Sequence, residues 1–389
     1  STPEQAPRIT LCTKAFGGEP VELAADWDRW PASVTWSHDG STLLVTADDN
    51  GRAPIFAVDP SSGAVTQLTH DDFAYGEVRP VPGGALYALR SSYLTPPHPV
   101  RVDADGAVTV LPCVEFPELP GELVDLTTTA ADGTPVRSWL TLPAGDAPAP
   151  LLLWVHGGPL GSWNTWHWRW NPWLLTALGY AVLMPDPALS TGYGQDFIQR
   201  GWGAWGFAPY TDLMAAVDGA CAHSRIDAGR IAAMGGSFGG YMANWIAGHT
   251  DRFAAIVTHA SLWALDQFGP TTDAPYYWAR EMGGLIAGHS PHESVGEIRT
   301  PMLVIHGDKD YRVPIGEGLR LWWELLSKSG LPADENGQSP HRFLYFPDEN
   351  HWILQPQHAL VWYEVVQGFI DEHVHGRTPT LPATLGQAE

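Results

Sequence analysis

The chain has 389 residues, of which 44% are hydrophobic and 16% are charged, so it is too apolar to be intrinsically disordered and long enough for two domains. Its formal charge of −22 opposes contact with phosphate backbones, and we expect no nucleic-acid partner.

Cysteine and histidine patterns argue against a metal or cofactor. The three cysteines, Cys12, Cys113 and Cys221, are far apart, which predicts small buried side chains in a reducing, cytoplasmic location. Sixteen histidines occur, but none has His-Glu-x-x-His spacing, so we expect neither metal nor cofactor. No apolar run reaches the length of a membrane span, and we expect no membrane partner.

Residues 1–120 contain a repeated pattern of strands and turns. The segment Gly63–Leu68 recurs 43 residues later as Gly106–Leu111, and Leu43 is matched by Leu86 at the same offset. A four-stranded propeller blade has about this period. The repeat therefore predicts a partial all-β propeller of about two and a half blades. A small domain of two β-sheets is the alternative.

A partial propeller implies a partner, because about four to eight blades are needed to close the ring. Gly17–Leu23 resembles the tail of one more blade, so the repeat begins in mid-blade at residue 1. We expect the other blades to be cut away, encoded separately or left out of this sequence. The partner is then a separate N-terminal fragment or a second copy of the chain.

Residues 121–375 alternate apolar runs with helical patterns. Two strands are predicted around the Asp132-Gly133 turn, and from Leu151 onward the runs are typical of buried parallel strands. Residues 213–221 and 362–370 have the apolar spacing of helices that cover a sheet. This region is predicted to be an α/β domain with a mostly parallel sheet, and residues 376–389 a tail.

The run Pro150–Val155 predicts a buried strand that opens into His-Gly-Gly-Pro. Amides of such glycines can face a developing negative charge. Five tryptophans follow between residues 163 and 173. They wall an active site, seal a contact between domains or pack under a long loop, and the sequence leaves all three interpretations open.

A second glycine-rich turn holds the predicted nucleophile, Ser237. An apolar run too short for a helix leads into Gly-x-Ser-x-Gly, and a helical pattern follows, which is the context of a nucleophile elbow. Side chains at Gly235 and Gly239 would collide with neighbouring backbone. The alternative is a turn softened by glycine. We expect the amides of Gly158 and Phe238 to form the oxyanion hole.

A carboxylate and a histidine follow in the order Ser, Asp, His, which is that of the α/β-hydrolases. Asp310 lies just past the predicted strand of residues 300–305, and His351 lies in the loop after the next strand. In this chemistry Ser237 attacks, His351 takes its proton, and Asp310 orients the imidazole. Asp308 is the rival carboxylate, with capping of a turn as its other interpretation.

Three motifs together resemble the prolyl oligopeptidase family of serine peptidases, nearest its acylaminoacyl and dipeptidyl peptidase branches. They are Gly-Gly-Ser-Phe-Gly-Gly-Tyr-Met, His-Gly-Asp-Lys-Asp-Tyr-Arg-Val-Pro and His-Gly-Gly-Pro. The resemblance is strong over about residues 120–375. It implies an α/β-hydrolase catalytic domain over residues 121–375, with Asp310 rather than Asp308 as the triad acid.

The resemblance also implies substrate contacts. Arg312 is expected to hold a substrate backbone carbonyl, and Val313 and Trp263 to line the primary specificity pocket. A solvated loop arginine is the alternative for Arg312, and plain core packing the alternative for Trp263. Ala188 and Leu189 stand where the family usually has Arg-Gly, so no substrate contact is expected from that position.

A serine peptidase that acts on short peptides, of acylaminoacyl or dipeptidyl type, is the favoured function. A propeller agrees with it, because a gated chamber excludes folded proteins. A carboxylesterase that acts on small esters is the alternative, since it shares the triad and the acyl-enzyme chemistry. A non-catalytic binding protein on a hydrolase fold is the third class. The sequence leaves open whether the substrate has a free or a blocked amino terminus.

Overall fold

Small antiparallel sheets form the N-terminal region of the computed structural model, which describes residues 1–282 and 288–386. A two-stranded sheet pairs β1 (Leu11–Thr13) with β2 (Val21–Leu23). The next sheet has the strand order β3 (Pro31–Trp36), β4 (Leu43–Ala47), β5 (Ile55–Val58), β6 (Val65–Gln67). The third has the sequential strands β7 (Ala74–Pro80), β8 (Leu86–Ser92), β9 (Thr95–Val102), β10 (Val108–Val110).

The two four-stranded sheets follow the sequence repeat. β4 and β8 begin at Leu43 and Leu86, and β6 and β10 begin at Val65 and Val108, so both offsets are 43 residues. The sheets share one apolar cluster, which includes Ile55 from the first sheet and members of the second. Each repeat of the sequence is therefore one sheet of meandering strands.

A single eight-stranded sheet organises the rest of the chain. Its strands are β11 (Gly121–Thr129), β12 (Pro135–Pro143), β13 (Ala149–Val155), β14 (Ala181–Pro185), β15 (Ile226–Gly236), β16 (Ala255–His259), β17 (Met302–Gly307), β18 (Arg342–Phe346). They are ordered β11-β12-β14-β13-β15-β16-β17-β18. The pairs β11–β12 and β12–β14 are antiparallel, and the remaining pairs are parallel.

Helices cover both faces of this sheet. They are α1 (Pro172–Thr176), α2 (Gln195–Gly201), α3 (Ala208–Cys221), α4 (Phe238–His249), α5 (Leu265–Thr271), α6 (Pro275–Met282), a 3₁₀ helix (Pro291–Glu297), α7 (Ile315–Lys328), α8 (Pro356–His375). One apolar core lies beneath α3, α4 and α7, and the other beneath α1 and α8. Every residue of β13, β14, β16 and β17 is buried, as expected of parallel strands covered on both sides. The predicted α/β-hydrolase fold is confirmed.

The first residues of the chain lie on the large domain rather than in the small sheets. Ala6 belongs to the apolar core beneath α3 and α4. Its N–H donates to Gln199 Oε1 at 2.9 Å, and Trp202 Nε1 donates to the Thr2 carbonyl at 2.9 Å. The segment that precedes β1 therefore packs against α2 and the turn that follows it.

The cysteine prediction is wrong at two positions. Cys12 and Cys113 are exposed, and Cys221 is partly buried. Cys12 follows the buried Leu11 in β1, so its side chain lies on the opposite, exposed face of the strand, and Cys113 lies beyond β10 in a segment without helix or strand. Beyond the left-handed Gly376, which ends α8, residues 377–386 contain neither helix nor strand. The rest of the predicted tail, residues 387–389, lies outside the described residues.

Candidate active site

Ser237 lies between β15 and α4, where the sequence predicts a turn from strand to helix. Its backbone has φ 58° and ψ −121°, which non-glycine residues rarely adopt. A Cβ on Gly235 would overlap the carbonyl oxygen of Gly239, and one on Gly239 would overlap the carbonyl oxygen of Val155. Glycine is required at both positions, because the turn brings backbone within contact of backbone. The serine side chain is thereby held at the carboxyl edge of the sheet.

Asp310 and His351 are joined by a hydrogen bond. His351 Nδ1 lies 2.7 Å from Asp310 Oδ2, and the carboxylate is buried. Its other oxygen accepts the amide N–H groups of Arg312 and Val313, each at 2.9 Å. Asp308, from the same loop, is exposed and has no hydrogen bond to His351 in this structure. The fold thus brings Asp310, and not its rival, to the histidine.

The ring of His306 lies beneath this loop. His306 Nε2 donates to the Val313 carbonyl at 2.8 Å and lies 3.6 Å from Asp310 Oδ2. Burial lowers the pKa of His306, so the ring stays neutral near pH 7. Its contacts stabilise the acid loop, a role that the sequence did not indicate.

One pocket brings four of the eight predicted site residues together. Ser237, His351, Gly158 and Arg312 all line it. No hydrogen bond joins Ser237 Oγ to His351, although both side chains are described. Such bonds are often long in enzymes without substrate.

The predicted oxyanion donors lie at the ends of two adjoining elements. Gly158, with φ 124°, follows β13, and Phe238 is the first residue of α4. The loop passes close to the nucleophile, because a Cβ on Gly157 would lie 3.4 Å from Ser237 Cβ. Within the described ranges, neither the Gly158 nor the Phe238 amide has a hydrogen-bond acceptor. Both N–H groups therefore remain free to donate to a ligand.

Arg312 reaches the pocket in a fixed position. Its Nε donates to Asp273 Oδ1 at 2.8 Å, and the Thr272 hydroxyl donates to the Arg312 carbonyl at 2.7 Å. The side chain is half exposed and lines the pocket. Its predicted contact with a substrate carbonyl stays a prediction.

Trp263 and Val313 do not line this pocket, and their predicted place in its wall is corrected. Both are fully buried in the apolar core beneath α4. The Trp263 indole donates to Glu324 Oε2 at 2.6 Å, and its backbone N–H donates to Glu317 Oε2 at 2.8 Å. Trp263 is therefore a core residue, held by packing and buried hydrogen bonds. Core packing was the alternative interpretation of this residue.

The tryptophans of this segment have different surroundings. Trp163 and Trp170 line the pocket. Trp173 donates its indole N–H to the carbonyl of Tyr93, at the end of the N-terminal sheets, at 2.5 Å. Trp168 is exposed. The cluster thus walls the pocket on one side and contacts the N-terminal region on the other.

A buried polar network supports the loop that follows β13. Asp186 Oδ1 accepts the Trp163 N–H at 2.9 Å, and its Oδ2 accepts the Ser162 hydroxyl at 2.6 Å. Asp48, from the N-terminal region, accepts the Asn164 amide at 2.6 Å and the Thr191 hydroxyl at 2.5 Å. Burial raises the pKa of Asp48. The N-terminal sheets therefore hold the loop that bears Gly158.

Several pocket residues were missed by sequence reasoning. Tyr277 and Trp278 come from α6, while Arg169 and Trp352 come from the two loops on the histidine side. Arg169 stands inside the tryptophan-rich segment, where a single charged residue among aromatic side chains was an available signal. Trp352 directly follows His351, and this neighbouring position was the only feature of the sequence that could have indicated a place in the pocket.

Within residues 1–282 and 288–386, no group of three His, Cys, Asp or Glu side chains is arranged to hold a metal ion. Among the helices of the same ranges, none combines the length and the apolar character needed to cross a membrane.

Curated relatives resemble the chain over nearly its whole length. The probable dipeptidyl-peptidase 5 of Aspergillus clavatus is 32% identical, with 95% of this chain and 53% of that protein covered. The dipeptidyl-peptidase 5 of Aspergillus fumigatus is 33% identical, with 90% of this chain and 51% of that protein covered. The chain thus spans about half the length of the curated relatives it matches.

Solved structures share the fold. The acylaminoacyl peptidase of Pyrococcus horikoshii superimposes with a TM-score of 0.80 at 19% identity, over 94% of this chain and 59% of that one. The sequence profile described as the prolyl oligopeptidase family matches residues 166–377, more than half of the chain. The expectation raised by the three motifs is confirmed: the chain belongs to the prolyl oligopeptidase family.

Proposed function

We propose that this chain carries the catalytic machinery of a serine peptidase that cleaves short peptides near one end. The observation that carries the proposal is the hydrogen bond of 2.7 Å between Asp310 and His351, in the pocket where the strained elbow presents Ser237. Family membership and the peptidase names of the relatives agree with it.

The proposed chemistry follows from the position of each group. Ser237 Oγ attacks the scissile carbonyl as His351 Nε2 takes its proton, and the amides of Gly158 and Phe238 stabilise the oxyanion. His351 then gives that proton to the leaving amine, and an acyl-enzyme remains. Water, activated by the same histidine, hydrolyses the ester bond. Asp310 keeps the imidazole in the required tautomer, because it accepts the Nδ1 proton.

Arg312 favours a peptide over a simple ester. Its guanidinium lines the pocket and is held by Asp273, so it can donate to a backbone carbonyl of the acyl fragment. A small ester offers no such carbonyl. The names of the relatives support exopeptidase action, of dipeptidyl or acylaminoacyl type.

We also propose that the two four-stranded sheets are blades of a β-propeller that restricts access to the pocket, and that this domain lies within residues 1–120. The period of 43 residues and the four meandering strands of each sheet support the proposal. The contacts of Asp48 with the loop residue Asn164 and of Tyr93 with Trp173 of α1 support a place beside the pocket.

Labelling of the protein with a fluorophosphonate, followed by mass mapping of the adduct, tests the nucleophile. We expect the adduct on Ser237 and no labelling or turnover in Ser237→Ala. A panel of acyl-amino-acid amides, dipeptide amides and p-nitrophenyl esters tests the substrate class. Turnover of simple esters without turnover of any peptide amide would identify an esterase and would contradict the proposal.

A further inference from the structure

The guanidinium of Arg169 lies against two tryptophan rings in the wall of the pocket. Its central carbon is 4.2 Å from the ring centre of Trp170 and 4.6 Å from that of Trp352. Both distances are within the range of cation–π attraction. Since Trp352 follows His351 in the chain, this stack holds the cation on the histidine side of the pocket.

Arg169 has no counter-charge within residues 1–282 and 288–386. Its side chain forms no ion pair and donates no hydrogen bond there, and its Nη1 is buried. By contrast, the second arginine of the pocket, Arg312, is paired with Asp273. No Asp or Glu among the described residues lines the pocket. In a chain of net charge −22, an arginine without a carboxylate partner at this place points to an anionic ligand.

The charge state of Arg169 agrees with this role. Burial lowers the pKa of Arg169 to about 10, which is still far above neutral. The guanidinium therefore stays charged in a partly desolvated place, where its attraction for an anion is stronger than in water.

The side of the pocket indicates which part of a substrate meets Arg169. In acyl transfer from a serine, the histidine protonates the leaving group, so the leaving fragment lies next to the histidine. Arg312 serves the acyl fragment in the proposed function. Arg169, stacked on the residue that follows His351, is therefore placed for the leaving fragment.

We infer that Arg169 binds the terminal carboxylate of the leaving fragment, and that the preferred substrates are peptides that end shortly beyond the cleaved bond. The inference rests on the proposed peptidase function. A carboxylate can accept two parallel hydrogen bonds from a guanidinium, whereas an internal peptide carbonyl is neutral and offers a single acceptor. Longer peptides lose this charged contact.

Three substrates with the same acyl fragment test the inference. They carry alanine, alanine amide or p-nitroaniline as the leaving group. We expect wild-type kcat/KM to be about 10- to 100-fold higher for the free acid than for the amide, as for a hydrogen bond between charged groups. Arg169→Gln should abolish that ratio and leave the p-nitroanilide rate little changed, while Arg169→Lys should keep part of it. Arg79→Gln removes an exposed arginine outside the pocket and should keep the full ratio.

Two results would overturn the inference while the proposed function stands. One is a wild-type enzyme that cleaves the p-nitroanilide but treats acid and amide alike. The other is an Arg169→Gln variant that loses all three activities equally and keeps the ratio, because Arg169 would then only support the loop. Thermal unfolding of each variant shows whether it is folded. If Arg169→Gln does not fold, the acid-to-amide ratio of Arg169→Lys decides the test. An enzyme labelled at Ser237 that cleaves none of the three amide substrates would instead refute the proposed function itself.

Discussion

Asp310 accepts hydrogen bonds with both carboxylate oxygens, one from His351 Nδ1 at 2.7 Å and the other from the amides of its own loop. Asp310→Asn should lower kcat about 10⁴-fold, because an amide in this place favours the wrong imidazole tautomer. The fold should survive, since the amide oxygen of asparagine can still accept the loop amides. Steady-state kinetics and circular dichroism check both expectations.

Asp308→Asn is the matched control for that substitution. Asp308 lies two residues away and is exposed, so the variant should remain active. An inactive Asp308→Asn beside an active Asp310→Asn would move the triad acid to Asp308.

The elbow depends on the absence of a side chain at Gly239. In Gly239→Ala the added methyl group would overlap the carbonyl oxygen of Val155. That oxygen belongs to the backbone, so it cannot move away by a change of rotamer. We expect a loss of about 2 kcal/mol or more in the free energy of unfolding and a large fall in kcat. Urea unfolding and kinetics measure the two effects.

Gly269, in α5, provides the contrast. No atom lies within 4 Å of a Cβ added there, and its φ is not positive. Because Pro270 follows it and crowds a Cβ on a helical residue, Gly269→Ala should change the free energy of unfolding by no more than about 1 kcal/mol, which is less than the loss in Gly239→Ala. Equal stability changes in the two variants would show that crowding at the elbow has no consequence.

The contact between Asp48 and Thr191 links the N-terminal region to the pocket loops. Asp48→Ala and Thr191→Val should each destabilise the protein, and their effects should not add, because each variant removes the same hydrogen bond of 2.5 Å. A double-mutant cycle should give a coupling of about 0.5–3 kcal/mol. Additive losses in urea unfolding would mean that the two residues do not interact in solution.

The carboxyl group of Glu317 makes the stability depend on pH. Burial raises its pKa from the usual 4.5 to about 7. Between these values the folded protein keeps a proton that the unfolded chain releases, so raising the pH lowers the free energy of unfolding. This contribution to the free energy of unfolding is fully present below about pH 4.5 and fully lost above about pH 7. It amounts to at most about 3 kcal/mol.

Glu317→Gln should remove this dependence, because its amide oxygen can still accept the Trp263 and Ala264 N–H groups. Urea unfolding at about pH 5 and about pH 8 should therefore show a smaller pH effect in the variant than in the wild type. Glu335→Gln, at an exposed loop position, should behave like the wild type. An unchanged pH effect in Glu317→Gln would assign the dependence to other groups.

Local sequence was sufficient for the elements that carry the site. The elbow at Ser237 depends on glycines within two residues of the serine. The apolar spacing on either side predicts the strand before it and the helix after it. The repeat at 43 residues likewise predicted two complete blades and a remnant, and each complete repeat is one sheet of strands joined by short turns. These features depend mostly on residues close in the chain, and the contact of Gly239 with the distant Val155 adds to them.

Tertiary structure alone decided which side chains meet and which are buried. Asp308 and Asp310 share one loop, and only packing against a segment about 40 residues later selects Asp310 for His351. From the sequence alone, Trp263 could line the pocket or pack in the core. Its hydrogen bonds to Glu317 and Glu324 hold it in the core. The stack of Arg169 on Trp352 joins residues from two distant loops. Apolar spacing predicts that a residue faces inward, but the partner it meets there depends on how distant segments pack together.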